Sequence, residues 1–220
     1  MAAATAATGP LGIKLLASAA PRMTIALYMD PFCPFCSREW QRLSKEVLPW
    51  LKAERAGAVD FTMYLLPQPW HPQSGMLCEG ALAVQEQSEK AAVDFLDAVW
   101  DPTTRSQWGD DVTYTMSRSD VYDAMGEKIV SGLAGIDKAV WRKRLEPLAD
   151  GGVGVTKTLK KYIKHARMTG VHVSPTCITN GLQDDSVSSS WTLDQWKTYI
   201  NENGASEAGP RAAVGAPSTE

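Results

Sequence analysis

The spacing of apolar positions changes several times along the chain, and each change marks an element. Thr24 to Met29 (TIALYM) is a short, nearly continuous apolar run, the pattern of a strand covered on both faces. Upstream, Gly12 to Leu16 reads as a short leading strand. Beyond Asp30-Pro31 the period lengthens. Trp40, Leu43, Val47, Leu48 and Leu51 recur at helical spacing, with Arg38, Arg42, Lys45 and Lys52 largely outside that stripe. Pro49 predicts a kink or break in this helix, and Gly57 its end. Val59, Phe61, Met63 and Leu65 then alternate as a second strand does. Strand, helix, strand in so short a span is a βαβ unit, so the two strands are expected to be parallel with a right-handed crossover.

The next stretch carries little strand character. Helices are predicted over His71 to Ser88, Glu89 to Trp100, Ser119 to Leu133, Ile136 to Leu148 and Val155 to Met168, with Asp101 to Arg118 irregular. Strand character returns at Thr176 to Thr179, and Asn180-Gly181 is a two-residue hairpin signal. In the last helix Thr192 and Gln195 form a capping box, Trp191 and Trp196 occupy the staple positions, and Gly204 fits the C′ position. The order is β-β-α-β, a helical block, then β-β-α, with no internal repeat.

Composition narrows the reading. With 44% apolar and 21% charged residues the chain is an ordinary globular protein, and 220 residues suffice for a substantial core. A net charge of −3 offers no general attraction to nucleic acid or anionic lipid. No apolar run is long enough to predict a membrane-spanning helix. Four Cys are too few for a disulfide scaffold. Residues 1–8 read as a flexible tail and 204–220, rich in Ala, Gly and Pro, as a disordered one; the domain is expected over 9–203. The acid-free N-terminus also suits an organelle transit peptide, but Gly9, Pro10 and Pro21 break any long amphipathic helix, so a cytoplasmic location is expected.

The chemistry concentrates at Cys33-Pro34-Phe35-Cys36, between the first long strand and its helix. Cys33 suits the N-cap and Pro34 the first helical position. The Cys33 sulfur then faces unpaired N–H groups and the positive end of the helix dipole, which favour thiolate. Cys36 shares its helix face and can reach it. An exposed nucleophile, Cys33, and a shielded resolving thiol, Cys36, are therefore expected. The competing readings are a zinc half-site and a pair of inert core thiols. A zinc knuckle wants a second close ligand pair, and only Cys78, Cys177 and three scattered His remain. No metal or other cofactor is expected.

Two segments carry a specific resemblance. Ala20-Pro21…Tyr28-Met29-Asp30-Pro31-Phe32-Cys33-Pro34-Phe35-Cys36 resembles the start of DsbA-like domains of the thioredoxin superfamily. Gly170 to Gly181 (GVHVSPTCITNG) is similar to that family's second fingerprint, and Trp70-His71-Pro72 falls where such domains turn into their inserted helices. The resemblance spans roughly 11–203. It implies an α/β thioredoxin-like fold with an inserted helical subdomain, about 70–169. It also implies a thiol–disulfide oxidoreductase with Cys33 and Cys36 catalytic. Pro34, Phe35, Ser174 and a cis Pro175 would meet substrate, and protein or peptide thiols and disulfides would be the partners.

Two departures stand out: Ser174, where the family usually has Thr or Val, and Pro-Phe between the cysteines, where its type member has Pro-His. Phe35 carries no positive charge, so a less acidic Cys33 and a weaker oxidant are expected. Pro-Phe also lies close to the Pro-Tyr of glutaredoxins, which keeps glutathione among the partners. Kappa-type glutathione transferases share the helical insertion but are similar at a Ser where this chain has Cys33. A peptide-binding protein without turnover is a further alternative, against which the paired cysteines speak.

The remaining candidates have bland readings. Cys78 and Cys177 suit the core. His71 suits a helix cap or a proton relay, and His172, near the Pro175 loop, a surface residue or a substrate contact. Lys157, Lys160, Lys161, Lys164 and Arg167 face away from the Val155, Leu159, Tyr162, Ile163, Ala166 stripe and suit a solvated face.

Overall fold

The computed structural model describes residues 11–205, so the readings of 1–8 and of most of 204–220 as tails lie outside the described residues. Five strands make one sheet: β1 (Ile13–Leu16), β2 (Met23–Met29), β3 (Val59–Leu65), β4 (Thr176–Thr179) and β5 (Leu182–Gln183), in the order β1-β3-β2-β4-β5. β2 and β3 are parallel, as a βαβ unit requires, and every other pairing is antiparallel. The β4–β5 hairpin turns on Asn180 and Gly181, whose φ angles of 51° and 86° are the two positive values that a tight two-residue hairpin needs.

The helix after β2 is broken ahead of its proline. α1 (Pro34–Arg42) passes through a π turn over Leu43–Val47 into α2 (Leu48–Glu54). Pro49 has no N–H, and its ring crowds the carbonyl of residue 45 in a continuous α-helix. The chain answers by widening just upstream, where the Leu48 N–H donates to the Leu43 carbonyl.

Between β3 and β4 the described chain is helical: α3 (Ser74–Gln85), α4 (Glu89–Trp100), α5 (Asp110–Thr113), α6 (Arg118–Lys128), α7 (Lys138–Lys143) and α8 (Thr156–Met168). Several boundaries differ from those expected. The stretch read as irregular holds a 3₁₀ turn at Arg105–Trp108 and the short α5. The helix expected over Ile136 to Leu148 stops at Lys143 because Pro147 disfavours helical geometry before it. The chain then doubles back at Gly151 and Gly152, with φ of 90° and 74°, and Leu148 N–H donates to the Gly152 carbonyl. α3 starts at Ser74 rather than His71, and α6 gives way to a 3₁₀ turn at Val130–Gly132.

The last helix, α9 (Leu193–Ile200), carries the expected box: Thr192 accepts from Gln195 N–H while the Gln195 side chain accepts from Thr192 N–H. The staple rings of Trp191 and Trp196 lie 5.3 Å apart. A closing π turn, Asn201–Ala205, takes in Gly204 at φ 116°, so the ordered backbone runs past the expected tail boundary.

The main apolar core lies on the sheet face that carries Ile25, Leu27, Phe61, Met63 and Cys177, and a second, smaller cluster of Tyr28, Leu66, Ala166, Val171 and Ile178 lies on the other. α4 braces α1: Trp40 and Trp100 pack with ring centroids 5.3 Å apart, Trp40 Nε1 donates to Asp97 at 2.8 Å, and Ser37 Oγ donates to the Trp100 carbonyl at 2.7 Å. These contacts immobilise the helix that begins at the cysteine pair.

Candidate active site

Cys33 is the N-cap of α1, with extended geometry (φ −61°, ψ 126°), and Pro34 opens the helix. The approach is organised by Asp30, which the sequence reading treated only as a strand end. Its carboxylate is fully buried and accepts from every side. Oδ1 takes the N–H groups of Phe32 (2.6 Å) and Cys33 (3.0 Å) and the Ser74 hydroxyl (2.5 Å). Oδ2 takes the Gln68 N–H at 2.6 Å and lies 3.2 Å from His71 Nδ1. The Phe32 bond closes an Asx turn, which is the signal in Asp30-Pro31-Phe32 that could have been read. Its backbone is engaged too: the N–H reaches Cys36 Sγ at 3.4 Å, and the carbonyl accepts from Trp100 Nε1 at 3.2 Å. Asp30 thus ties strand, cysteine loop, second-strand exit and α3 into one unit.

The four cysteines are free thiols. Cys36 is completely buried, and Cys33, expected to be exposed, is only 4% exposed. The cover comes from a segment remote in sequence: the Cys33 thiol donates to the Ser174 carbonyl at 3.5 Å, and the Ser174–Pro175 peptide bond beside it is cis. The two thiols titrate in opposite directions. The Cys33 thiol is held down to about 6, first by a hydrogen bond from Cys36, against burial and with help from the N–H groups of Cys36 and Phe35. Burial, and then the proximity of Cys33, push Cys36 well above the ordinary thiol range. The acidity of Cys33 therefore needs no charged residue at position 35.

Phe35 is 54% exposed, with the Arg38 guanidinium 5.3 Å over its ring, and Pro34 is exposed beside it. Ser174 and Pro175 are half-buried, and Val173 before them is exposed. The structure thus brings together all six residues singled out for the site, from two stretches of chain.

Glu39 was missed. It lies within α1 with only 1% exposure, and neither carboxylate oxygen has a hydrogen-bond partner. Burial, then the Cys33 charge, push its carboxyl up to about 8, with Arg38 opposing. The signal was its spacing, three residues beyond Cys36 and four before Leu43, which puts an acid on the buried stripe.

The other candidates fall elsewhere. Cys78 is buried in α3 and its thiol is pushed well above the ordinary range; Cys177, in β4, is pushed up to about 12, in both cases chiefly by burial. His71 does not cap α3, whose N-cap is Gln73, but packs against Asp30 and edge-on to the Phe32 ring. His172, two residues before Ser174, is exposed, and so are Lys157, Lys160, Lys161, Lys164 and Arg167 of α8. Among the described residues no three His, Cys, Asp or Glu side chains come together in a way that could hold a metal ion.

No family model matches the sequence, and no curated protein matches it. Solved structures do. A protein from Pseudomonas syringae, provisionally assigned as a protein-disulfide isomerase, is 21% identical with a TM-score of 0.67, over 86% of this chain and 97% of that one. BdbD from Bacillus subtilis is 14% identical with a TM-score of 0.64, over 87% and 92% of the two chains. DsbA from Mycobacterium tuberculosis, in its reduced form, is 18% identical with a TM-score of 0.57, over 87% and 91%. Coverage this complete at such low identity establishes the fold: a thioredoxin-like sheet with a helical insertion, arranged as in DsbA-like proteins.

Proposed function

We propose that this DsbA-like thioredoxin fold is a thiol–disulfide oxidoreductase in which Cys33 is the nucleophile and Cys36 the resolving thiol. The observation that carries the reading is the split between two thiols on one helical turn. Cys33 is acidic enough, at about 6, to be largely thiolate near neutral pH, while Cys36 stays protonated and buried until needed. In the reductive direction Cys33 thiolate attacks a substrate disulfide, forming a mixed disulfide and expelling one substrate thiolate. Cys36 then loses its proton and attacks the Cys33 sulfur, releasing the second substrate thiol and leaving a Cys33–Cys36 disulfide. Two electrons pass from the enzyme dithiol to the substrate disulfide. The reverse sequence oxidises a substrate dithiol.

Pro34, Phe35, Ser174 and Pro175 form the surface that meets the substrate. The exposed Phe35 ring offers apolar contact, and the chain entering β4 at Val173–Pro175 offers backbone to an extended peptide. Protein or peptide thiols are the substrate class this surface suits. An intracellular setting, where thiols are kept reduced, would run the pair as a reductant.

Insulin-reduction turnover with dithiothreitol tests the proposal, beside a glutathione-conjugation assay on the same preparation. Turnover is expected in the first assay and absent in the second. Cys36→Ser should trap mixed disulfides through Cys33, whereas Cys33→Ser should abolish both trapping and turnover. Conjugation without insulin reduction would replace this reading with a transferase.

A further inference from the structure

A groove of about 720 Å³ runs from Pro34, inside the cysteine motif, along the outer face of α1 and its π turn. The loop after α4 and the Ser189–Trp191 segment ahead of α9 form its other walls. Its charge is one-sided. Arg38, Arg42, Lys45 and Arg105 line it against a single carboxylate, Glu46, which already pairs with Arg42. Among the lining side chains three positive charges are left in excess, with the Asp101 carboxylate at the groove's edge acting on Lys45, on a chain whose net charge is −3.

The helix dipole favours only Arg42, in the last turn of α1; Arg38, at the middle of that helix, gains nothing from it, and Arg105 lies outside the helix. Two of the arginines are held in place. Arg38 spans the groove mouth, stacked over Phe35 at 5.3 Å and donating to Ser189 Oγ at 2.8 Å. Arg105 lies 4.3 Å over the Phe32 ring and donates to the Phe32 carbonyl, while its Nε is buried without a partner. Lys45 is exposed. Fixed guanidinium groups are suited to carboxylates, and a one-signed cleft concentrates oppositely charged ligands at its mouth.

We infer that this groove selects substrates whose reacting cysteines are flanked by acidic residues, the carboxylates seating along α1 while the disulfide meets Cys33. The inference rests on the oxidoreductase reading above and adds the substrate class to it. The exchange itself is unchanged: the reduced Cys33–Cys36 dithiol gives two electrons and two protons to the peptide disulfide, which leaves as a dithiol.

The test uses the full chain, reduced, with three disulfide peptides identical except for four flanking residues: Asp/Glu, Asn/Gln or Lys. Single-turnover rates are read by acid quench and mass. The acidic peptide is expected to react about 10-fold faster than the neutral one at low salt, with the Lys peptide slowest. That advantage should shrink severalfold at 0.5 M NaCl. Arg38→Gln/Lys45→Gln should bring the acidic-to-neutral ratio close to one. Glu46→Gln, which removes the opposing carboxylate, should raise that ratio, a change of sign that misfolding cannot mimic. The pH profile of Cys33 alkylation, measured on each variant, separates a change in groove charge from a change in the thiol.

Equal wild-type rates for acidic and neutral peptides overturn the inference and leave the oxidoreductase reading standing. Failure to reduce any peptide overturns both. Glutathione disulfide, whose carboxylates share the chemistry, is the fourth substrate. Fast reaction with it and no advantage for the acidic peptide also overturns the inference.

Discussion

Replacing Glu39 by Gln should stabilise the reduced protein increasingly as pH rises. The carboxyl is 1% exposed and has no hydrogen-bond partner, and its ionisation moves from an ordinary 4.5 to about 8 in the folded chain. Below pH 4.5 both states carry the acid neutral and nothing is lost. Between 4.5 and 8 the unfolded chain ionises while the folded chain cannot, so stability falls as pH rises; above 8 the loss is complete and constant. At about 1.4 kcal/mol per pH unit, the penalty is about 2 kcal/mol at pH 6 and about 5 kcal/mol at pH 9. Gln keeps the shape and cannot ionise. The cost of burying its amide does not vary with pH, so the measurement is the slope rather than the offset. Urea unfolding of both proteins under reducing conditions at pH 6 and pH 9 should show the difference in unfolding free energy growing by about 2–3 kcal/mol. Because the Cys33 charge helps raise the Glu39 carboxyl, the growth should be smaller in a Cys33→Ser background. A difference that stays flat from pH 6 to pH 9 would refute the account of Glu39 as a buried, isolated acid.

Other outcomes follow from the same geometry. Iodoacetamide labelling of the reduced protein, read by peptide mass, should modify Cys33 with a midpoint near pH 6 and leave Cys36, Cys78 and Cys177 almost untouched below pH 8; faster labelling of any of those three would reverse the assigned roles. Asp30→Asn replaces one accepting carboxylate oxygen by an amide NH2, a donor that would face the donors of Gln68 and His71, and should lower the unfolding free energy by about 3 kcal/mol by denaturant titration; a loss below about 1 kcal/mol would mean that the network is dispensable. Thr192→Ala removes the α9 cap and should cost about 1 kcal/mol in the same titration while leaving the Cys33 alkylation profile in place; a shifted profile would contradict the separation of that cap from the site.

Legibility followed range. The alternation of Val59 to Leu65, the apolar run of β2, the Asn180-Gly181 turn, the Thr192–Gln195 box and the place of Cys33 at a helix start are all set by neighbours a few residues apart. Each corresponds to a feature of the fold. Helix ends were the weakest part, as at Lys143, where Pro147 and two left-handed glycines intervene.

What needed the tertiary structure were features built from groups far apart in the chain. Ser174 reaches Cys33 across 141 residues and buries a thiol that its sequence position would leave open. Asp30 becomes a hub because Gln68, His71 and Ser74 return to it, and only the Asx turn was local. Glu39 was visible as an acid on a buried stripe, but its lack of any partner depends on which side chains surround it. Arg105 joins the α1 cations only because the loop after α4 folds over Phe32. The physical reason is common to all four: periodicity and turn chemistry fix the direction in which a side chain leaves its own element, whereas solvation, pKa and charge depend on what the rest of the chain brings to meet it.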